Sequence, residues 1–233
     1  MKAIILAGGL GTRISEETDT KPKPMVLLDE NPILWHLMNI FSSQGISDFV
    51  IATGYKGHVI HDWVANLKSE WNIKALDTGE STMTGGRIRQ CLEYIGSERV
   101  FVTYGDGLGN IDLKKLLTFH EHQKRLATVT AVRPPARFGV LESHNGLVKH
   151  FGEKRQADAG WINGGFFVIE PGILPYIHSD IEPFETGALP RLVEIQSLSA
   201  FEHSGFWQPM DTLREKNELS QLAGLSTPPW LIL

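Results

Sequence analysis

Apolar and polar positions alternate along the first half of the chain with two different periods. Short apolar runs predict buried strands, and apolar residues that recur every three or four positions predict helices. The predicted strands cover residues 1–6, 49–53, 73–76, 99–104 and 127–132. The predicted helices cover residues 32–43, 58–71, 87–94 and 112–125. This order predicts an α/β fold with a doubly wound, mostly parallel sheet and helices on both faces.

The pattern changes after residue 132. Two strands, 138–142 and 147–151, are predicted to form a hairpin around Asn145-Gly146. Further strands over 161–169 and 198–206 flank a helix over 188–196, and a helix over 212–222 precedes an apolar tail. We therefore expect one domain over residues 1–233. Its parts are a nucleotide-binding core over 1–132, a β-rich portion over 133–210, and a C-terminal helix and tail over 211–233.

Composition narrows the class of protein. A chain of 233 residues with 42% hydrophobic and 21% charged residues is typical of a soluble α/β domain. A net charge of −5 gives no basic patch, so we expect no nucleic-acid partner. The single cysteine, Cys91, excludes an internal disulfide. No leader pattern and no apolar run of membrane-spanning length occurs, and we expect a cytoplasmic protein with no membrane partner.

A glycine-rich loop follows the first predicted strand. After Leu6 and Ala7, the residues Gly8, Gly9 and Gly11 leave the backbone N–H groups open to an anion, although such glycines could also simply form a tight turn. Arg13 adds a permanent cation, and Lys23 adds a second one between two prolines. The loop therefore suits a nucleoside triphosphate.

Two familiar phosphate-binding motifs do not fit this loop. A dinucleotide-binding fingerprint that begins at Gly9 requires Gly or Ala at position 14, where the chain has Ile14. A Walker loop that begins at Gly8 requires Gly at position 13 followed by Lys, where the chain has Arg13 and Ile14. The loop is thus of another kind.

Two carboxylates follow predicted strands. Asp106 lies between Gly105 and Gly107 after one strand, and Asp211 follows another near Phe206. Ligands of open parallel sheets bind at the carboxyl ends of the strands, and two carboxylates beside a triphosphate suit Mg²⁺. Taken alone, either aspartate could instead be a helix or turn cap.

These segments, together with others in the same order, resemble the motifs of the glucose-1-phosphate cytidylyltransferases, which are sugar-1-phosphate nucleotidyltransferases. The matching segments are Leu6–Arg13, Lys21–Pro24, Asp77–Arg87, Thr103–Gly107, Arg137–Gly139, Trp161–Phe167 and Gly205–Arg214. The resemblance implies a Rossmann-like nucleotidyltransferase fold with a β-rich sugar-binding lobe, and it extends over nearly the whole chain.

The resemblance also implies roles for individual residues. Arg13, Lys23, Asp106 and Asp211 would be catalytic, with both aspartates on Mg²⁺. The nucleotide would contact Leu6, Ala7, Gly8, Gly9, Gly11, Thr12, Arg13, Lys23, Thr82, Arg87 and Gly105. The sugar phosphate would contact Glu153, Lys154, Asn163 and Gly164. Without the resemblance, Glu153-Lys154 could equally be a solvated strand end.

Substrate choice follows from the same comparison. Thr82 and Arg87 match family residues near the base, and the Gln-bearing loop of uridylyl and thymidylyl relatives is missing, so CTP is favoured. Relative to the family, the stretch 65–76 is short, which leaves the sugar and the contacts of a possible homo-oligomer open. The alternatives are UTP or dTTP, another hexose or heptose 1-phosphate, and a non-catalytic regulatory protein that binds nucleotide sugars.

Overall fold

The fold is taken from a computed structural model that describes residues 1–11, 14–134, 139–153 and 160–232. Of residues 15, 139–143 and 150–153 it describes the backbone alone. The strands are β1 (Lys2–Leu6), β2 (Leu27–Leu28), β3 (Asn31–Pro32), β4 (Asp48–Thr53), β5 (Asn72–Asp77), β6 (Val100–Tyr104), β7 (Gly107–Gly109), β8 (Ala127–Val132), β9 (Gly139–His144), β10 (Leu147–Glu153), β11 (Ile162–Asn163), β12 (Phe167–Ile169), β13 (Leu198–His203) and β14 (Trp207–Pro209). The α-helices are α1 (Ser15–Thr18), α2 (Ile33–Ser42), α3 (Gly57–Asn66), α4 (Thr84–Ile95), α5 (Leu113–Gln123), α6 (Ala188–Glu194) and α7 (Leu213–Ala223). Short 3₁₀ helices cover Lys23–Met25 and Pro171–Tyr176.

A mixed sheet forms the centre of the fold. Its strands run in the order β8, β12, β6, β1, β4, β5, and both β11 and β13 also pair with β8. The pairs of β1 with β4 and β6, of β4 with β5, and of β8 with β13 are parallel, whereas β12 is antiparallel to its neighbours. The predicted doubly wound α/β class is confirmed. Within the described residues, no helix is both long and apolar enough to cross a membrane.

Two apolar layers explain why residues 3–6 of β1 and 49–52 of β4 are all apolar. Along β1, Ala3 and Ile5 pack into the layer that α2 covers, and Ile4 and Leu6 pack into the layer that α4 and α6 cover. Successive side chains of a strand point to opposite faces, so a strand with a helix on each face is apolar throughout. This layering leaves the carboxyl ends of the strands as the place for polar chemistry.

Two helices differ in length from their predictions. α3 ends at Asn66 rather than near Trp71, because Trp71 lies with its ring centroid 5.8 Å from that of Phe49 and donates its indole N–H to Ser42 Oγ. α4 begins at Thr84, before the predicted start at Arg87. Its first turn includes Gly86, where a Cβ would lie 2.4 Å from the backbone of Asp180, so only glycine allows this close approach.

In the second half of the chain, the predicted hairpin is confirmed, and two strands are shorter than the pattern predicts. β9 and β10 meet at Asn145 and Gly146, whose φ angles of 52° and 79° suit a two-residue hairpin turn. The predicted strand 161–169 is divided into β11 and β12, because Gly165 has a φ angle of 74° that extended backbone does not adopt. The predicted strand 198–206 ends at His203, and the chain then forms β14 outside the central sheet.

Candidate functional site

A cavity of about 530 Å³ opens at the carboxyl ends of the central strands. It is lined by residues 6–11, 23–24, 80–84, 87 and 104–106. These residues come from the ends of β1, β5 and β6, and from the 3₁₀ helix that contains Lys23. The structure therefore brings most of the sequence-predicted nucleotide residues around one cavity. Thr12 and Arg13 lie outside the described residues.

The backbone of the glycine-rich loop continues the sheet before it turns away. Gly105 N–H donates to the carbonyl of Leu6 at 2.9 Å, and Ala7 N–H donates to the carbonyl of Ala52 at 2.9 Å. A Cβ on Gly105 would lie 2.7 Å from the Leu6 oxygen, so the close approach of the two strand ends requires glycine. A Cβ on Gly9 would meet no atom of the described residues within 4 Å, and Gly9 lines the cavity in which a ligand can lie.

Arg87 lies behind this loop and is 3% exposed. Its guanidinium donates to the carbonyls of Gly8 at 2.9 Å and Thr53 at 2.8 Å, and to the hydroxyl of Thr78. Burial lowers the pKa of Arg87, and the charge of Asp77 opposes this effect, but a guanidinium stays protonated at any ordinary pH. Arg87 therefore fixes the backbone around the cavity, and its contact with a nucleotide stays a prediction.

The two candidate metal ligands are joined by a two-stranded ribbon. β7 pairs antiparallel with β14, with Gly107 opposite Pro209, and Met210 N–H donates to the carbonyl of Asp106 at 2.8 Å. Asp106 precedes one strand of the ribbon and Asp211 follows the other. Antiparallel pairing therefore places residues that are far apart in sequence at the same end of the ribbon.

The start of α7 fixes the backbone of Asp211. Thr212 and Glu215 form a capping box, in which the Glu215 carboxylate accepts from Thr212 N–H at 2.9 Å. The same carboxylate oxygen accepts from Asp211 N–H at 2.8 Å. The sequence Asp-Thr-Leu-Arg-Glu thus supplies both a helix start and a fixed backbone from which the Asp211 carboxylate extends.

Lys23 lies between the two carboxylates. Its Nζ is 2.6 Å from Asp106 Oδ2 and 2.8 Å from Asp211 Oδ1, and its side chain is 10% exposed. Burial opposes the charge on Lys23, but the two carboxylates outweigh it and hold the pKa of Lys23 above its ordinary value. Three of the four predicted catalytic residues are therefore in direct contact.

The donor set suits a hard divalent cation. Carboxylate oxygens of Asp106 and Asp211 converge on one point, which the Lys23 ammonium shows by contacting both. No cluster of three or more His, Cys, Asp or Glu side chains occurs in the described part of the chain. Mg²⁺ commonly takes one or two carboxylates and completes its shell with phosphate oxygens and water. The two aspartates fit that requirement.

The candidate sugar residues are only partly described. Asn163 is exposed at the end of β11, and its Nδ2 donates to the Tyr104 hydroxyl at 2.9 Å. Gly164 is buried, and its carbonyl accepts from Trp207 Nε1 at 2.8 Å. The side chain of Glu153 and all of Lys154 lie outside the described residues. Since Tyr104 also lines the cavity, Asn163 lies next to the candidate nucleotide site.

Sequence reasoning missed three residues that connect the candidate nucleotide site with the candidate sugar residues: Tyr104, Thr84 and Glu185. Tyr104 donates to Glu185 Oε1 at 2.6 Å, and Thr84 donates to Glu185 Oε2 at 2.7 Å. Tyr104 and Thr84 fall within matched motifs, so their position in those motifs was an available signal. Glu185 lies in an irregular segment between a 3₁₀ helix and α6 and gave no pattern that could have indicated it.

Comparisons with known proteins show the family of the chain and its fold. Residues 2–210 match the model of a family described as nucleotidyl transferase. The chain is 45% identical to the glucose-1-phosphate cytidylyltransferase of Salmonella typhimurium, in an alignment that covers 99% of this chain and 98% of that protein. Among solved structures, HddC from Yersinia pseudotuberculosis with GMP-PN superposes with a TM-score of 0.73 at 25% identity, covering 94% of this chain and 98% of that one. UDP-glucose pyrophosphorylase with UDP-glucose also gives 0.73, at 18% identity and with 95% and 97% of the chains covered.

Proposed function

The chain belongs to the nucleotidyl transferase family and, within it, to the glucose-1-phosphate cytidylyltransferases, and from this premise we propose that it converts CTP and glucose 1-phosphate to CDP-glucose and pyrophosphate. The observation that carries the proposal is the contact of Lys23 with both Asp106 and Asp211 beside the glycine-rich loop. That cluster combines a phosphate-binding cation with a pair of metal-binding carboxylates.

The proposed reaction is an in-line displacement at phosphorus. A phosphate oxygen of glucose 1-phosphate attacks the α-phosphorus of CTP and forms a new P–O bond. The bond from the α-phosphorus to the bridging oxygen breaks, and its electron pair leaves with pyrophosphate. A phosphate monoester has its second pKa near 6, so the nucleophile is already ionised at neutral pH. The enzyme therefore needs no general base, and its task is to position two polyanions and neutralise their charge.

The residues of the cluster suit that task. An ammonium has three N–H donors, and Lys23 uses two of them on Asp106 and Asp211, which leaves one for an oxygen of the α-phosphate. The glycine-rich loop lines the cavity at Gly9, and its backbone N–H groups suit the β- and γ-phosphates. Arg13 would add charge there, as the family resemblance implies.

Nucleotidyl transferases of this family generally use a divalent metal ion. We propose Mg²⁺ held by Asp106 and Asp211, where it would neutralise phosphate charge and bring the two substrates together. The capping box that fixes Asp211 and the ribbon that fixes Asp106 support this role, because ligands held in place lose little freedom when the metal binds.

One hydrogen bond supports cytosine as the base. Thr82 lines the cavity and donates its only O–H to the carbonyl of Thr78, so its oxygen can only accept a further hydrogen bond. The amino group of cytosine donates at the position where uracil and thymine carry an acceptor oxygen. A base that left the Thr82 oxygen facing another acceptor would bind less well.

The connection between α3 and β5 bears on the sugar and on assembly. Here it consists of residues 67–71, and the alignment with the Salmonella protein spans 253 positions against the 233 residues of this chain. That relative therefore carries residues that this chain lacks. We propose that this short connection accounts for part of the difference in length between the two proteins. Sedimentation of the purified protein tests whether it forms the homo-oligomer that the sequence leaves open.

The function is tested by pyrophosphate release with Mg²⁺, glucose 1-phosphate and CTP, UTP or dTTP in turn. Turnover with CTP alone is the expected result. Turnover with another nucleotide keeps the reaction but overturns the choice of base, and turnover only with another hexose or heptose 1-phosphate overturns the choice of sugar. Nucleotide binding without pyrophosphate release for any sugar phosphate would overturn the enzyme assignment in favour of a regulatory protein.

A further inference from the structure

A chain of hydrogen bonds runs from the wall of the nucleotide cavity to the candidate sugar residue. Glu185 accepts from Thr84 at one carboxylate oxygen, at 2.7 Å, and from Tyr104 at the other, at 2.6 Å. The Tyr104 oxygen accepts from Asn163 Nδ2 at 2.9 Å. We call Glu185, Tyr104 and Asn163 the relay. Neither composition nor motif spacing assigned a role to its first member.

Backbone contacts hold Glu185 in place. The segment that precedes it lies along the start of α4, where Met83 N–H donates to the carbonyl of Asp180 at 2.8 Å and Gly85 N–H to that of Glu182 at 3.0 Å. Phe184 N–H donates to Thr84 Oγ1 at 2.8 Å. These contacts fix the position of Glu185 relative to α4 independently of the hydrogen bond between its carboxylate and Tyr104.

The relay determines which atoms donate and which accept. A carboxylate only accepts, so Tyr104 must direct its single O–H to Glu185. A phenol has an ordinary pKa near 10, so Tyr104 keeps this proton at neutral pH. The Tyr104 oxygen is then left as an acceptor, and the group of Asn163 that faces it must be the NH₂ group.

A second contact fixes the other end of the Asn163 amide. Gly165 N–H donates to Asn163 Oδ1 at 2.9 Å, so the amide oxygen is used on the backbone. An NH₂ group has two N–H donors, and one of them is used on Tyr104. Since Asn163 is exposed, its second N–H is available to a ligand as a donor, while one of the two lone pairs of its oxygen is already used on Gly165 N–H.

We propose that the relay is a positioning device that presents Asn163 to the sugar as a hydrogen-bond donor, so that one ring hydroxyl of the sugar 1-phosphate is recognised through its oxygen. The inference rests on the proposed function and deepens it, because it names residues that determine how the sugar is read. Tyr104 and Glu185 act through Asn163 and are positioning residues.

The test compares the wild-type chain with Tyr104→Phe and Glu185→Gln, using glucose 1-phosphate and analogues that each lack one ring hydroxyl. For the wild type, we expect removal of one particular hydroxyl to lower kcat/KM about 10-fold or more, as for a lost hydrogen bond of about 1.4 kcal/mol. In both variants this penalty should shrink to about 3-fold or less. The KM for glucose 1-phosphate should rise about 10-fold, whereas the KM for CTP should change less than about 2-fold.

Matched controls carry the same chemical changes on the exposed surface of α4. Tyr94→Phe and Glu93→Gln alter a tyrosine that is 54% exposed and a glutamate whose side chain is 59% exposed, and both should keep wild-type constants. If Tyr104→Phe fails to fold, Glu185→Gln keeps the phenol and the side-chain shape and gives the same comparison.

The outcomes separate this inference from the proposed function. Wild-type turnover combined with an unchanged hydroxyl penalty in both variants overturns the relay but leaves the enzyme assignment intact. A rise in the KM for CTP equal to that for the sugar phosphate also overturns it, since a general structural defect would affect both substrates. No turnover by the wild type with any of these sugar phosphates removes the function, and the inference with it.

Discussion

Arg87 Nη2 donates to the carbonyl oxygen of Gly8 at 2.9 Å, so a buried cation on α4 holds the backbone of the glycine-rich loop. The packing is so close that a Cβ on Gly8 would lie 2.1 Å from the guanidinium. Position 8 therefore requires glycine because a side chain there would collide with Arg87. At Gly9, by contrast, a Cβ would meet no atom of the described residues within 4 Å. Glycine thus occurs at these two adjacent positions of one motif for different physical reasons.

Replacing Arg87 by Lys is expected to lower both stability and nucleotide affinity. A lysine has a single nitrogen in place of Nη1 and Nη2, with which Arg87 reaches Thr53 and Gly8, so it should not satisfy both carbonyls. A buried carbonyl left without a donor should cost about 2–4 kcal/mol in the free energy of unfolding. Urea denaturation and the KM for CTP are the measurements. Arg89→Lys is the matched control on the same helix, because Arg89 is partly exposed in its ion pair with Asp180, and we expect a loss under about 1 kcal/mol. Equal losses in the two variants would contradict the role of Arg87.

Replacing Asp106 or Asp211 by Asn should leave the fold intact and lower turnover by at least about 100-fold to 1000-fold, as expected when a group that stabilises transition-state charge is lost. Pyrophosphate release across a range of Mg²⁺ concentrations measures the effect, and thermal unfolding checks the fold. The control is Asp112→Asn, which changes the N-cap of α5 outside the lining of the cavity and should keep activity. Near-normal turnover in either cluster variant would remove the metal-pair assignment.

Stability should fall at alkaline pH. The folded state raises the pKa of Lys23, so the stabilisation from this ammonium is complete below its unfolded pKa near 10.5 and is lost as pH rises through its folded pKa. The folded state also raises the pKa of Tyr104, so ionisation in the unfolded chain above about pH 10 favours unfolding. Unfolding free energies between pH 8 and pH 11 are the measurement.

A tyrosine comparison isolates one of these two groups. Tyr104→Phe should reduce the alkaline slope by up to about 1.4 kcal/mol per pH unit, which is the value for one proton. The exposed Tyr94→Phe should leave the slope nearly unchanged. Identical slopes for wild type and Tyr104→Phe would show that the phenol titrates alike in both states.

The single cysteine can be used to probe local unfolding around α4, which borders the nucleotide cavity. Cys91 is buried on α4, and burial raises the pKa of its thiol to about 12. At pH 8 only on the order of one thiol in ten thousand is then a thiolate, so native protein should resist a thiol reagent that labels the urea-unfolded chain at once. Saturating CTP with Mg²⁺ should slow labelling further if it stabilises the native state. Labelling of native protein at the rate of a free thiol would contradict this, and Cys91→Ser controls for reaction elsewhere.

The C-terminal segment should contribute strongly to stability. Trp230 is fully buried, with its ring 5.5 Å from that of His36 and 6.0 Å from that of Phe206. Trp230→Ala should cost about 3–5 kcal/mol in the free energy of unfolding. Within the described residues the Trp230 N–H has no hydrogen-bond partner, so Trp230→Phe should cost less than half as much. Urea denaturation measures both losses. Similar losses in the two variants would show that aromatic packing is not what Trp230 contributes to stability.

Features that depend on near neighbours along the chain are predictable from the sequence alone. Apolar runs gave the central strands, because a strand covered on both faces has no exposed side, and Asn145-Gly146 gave the hairpin turn through its positive φ angles. The glycine-rich loop and Asp106 were assigned to the carboxyl edge of the sheet because each directly follows a predicted strand. The glycines and cations of the loop indicate a triphosphate by themselves. Assignments of individual residues to the base, to single phosphates and to the sugar follow from the family resemblance and stay predictions.

Contacts between residues that are distant in sequence became visible only in the folded chain. Asp211 reaches Asp106 through the ribbon of β7 and β14, two strands of three residues each, which are too short for a period to reveal. Glu185 joins Tyr104 to Thr84 from an irregular segment whose local sequence does not indicate the contact. The physical reason is common to both. Periodicity records how a segment is buried, whereas contacts between segments depend on the pairing and packing of the whole chain.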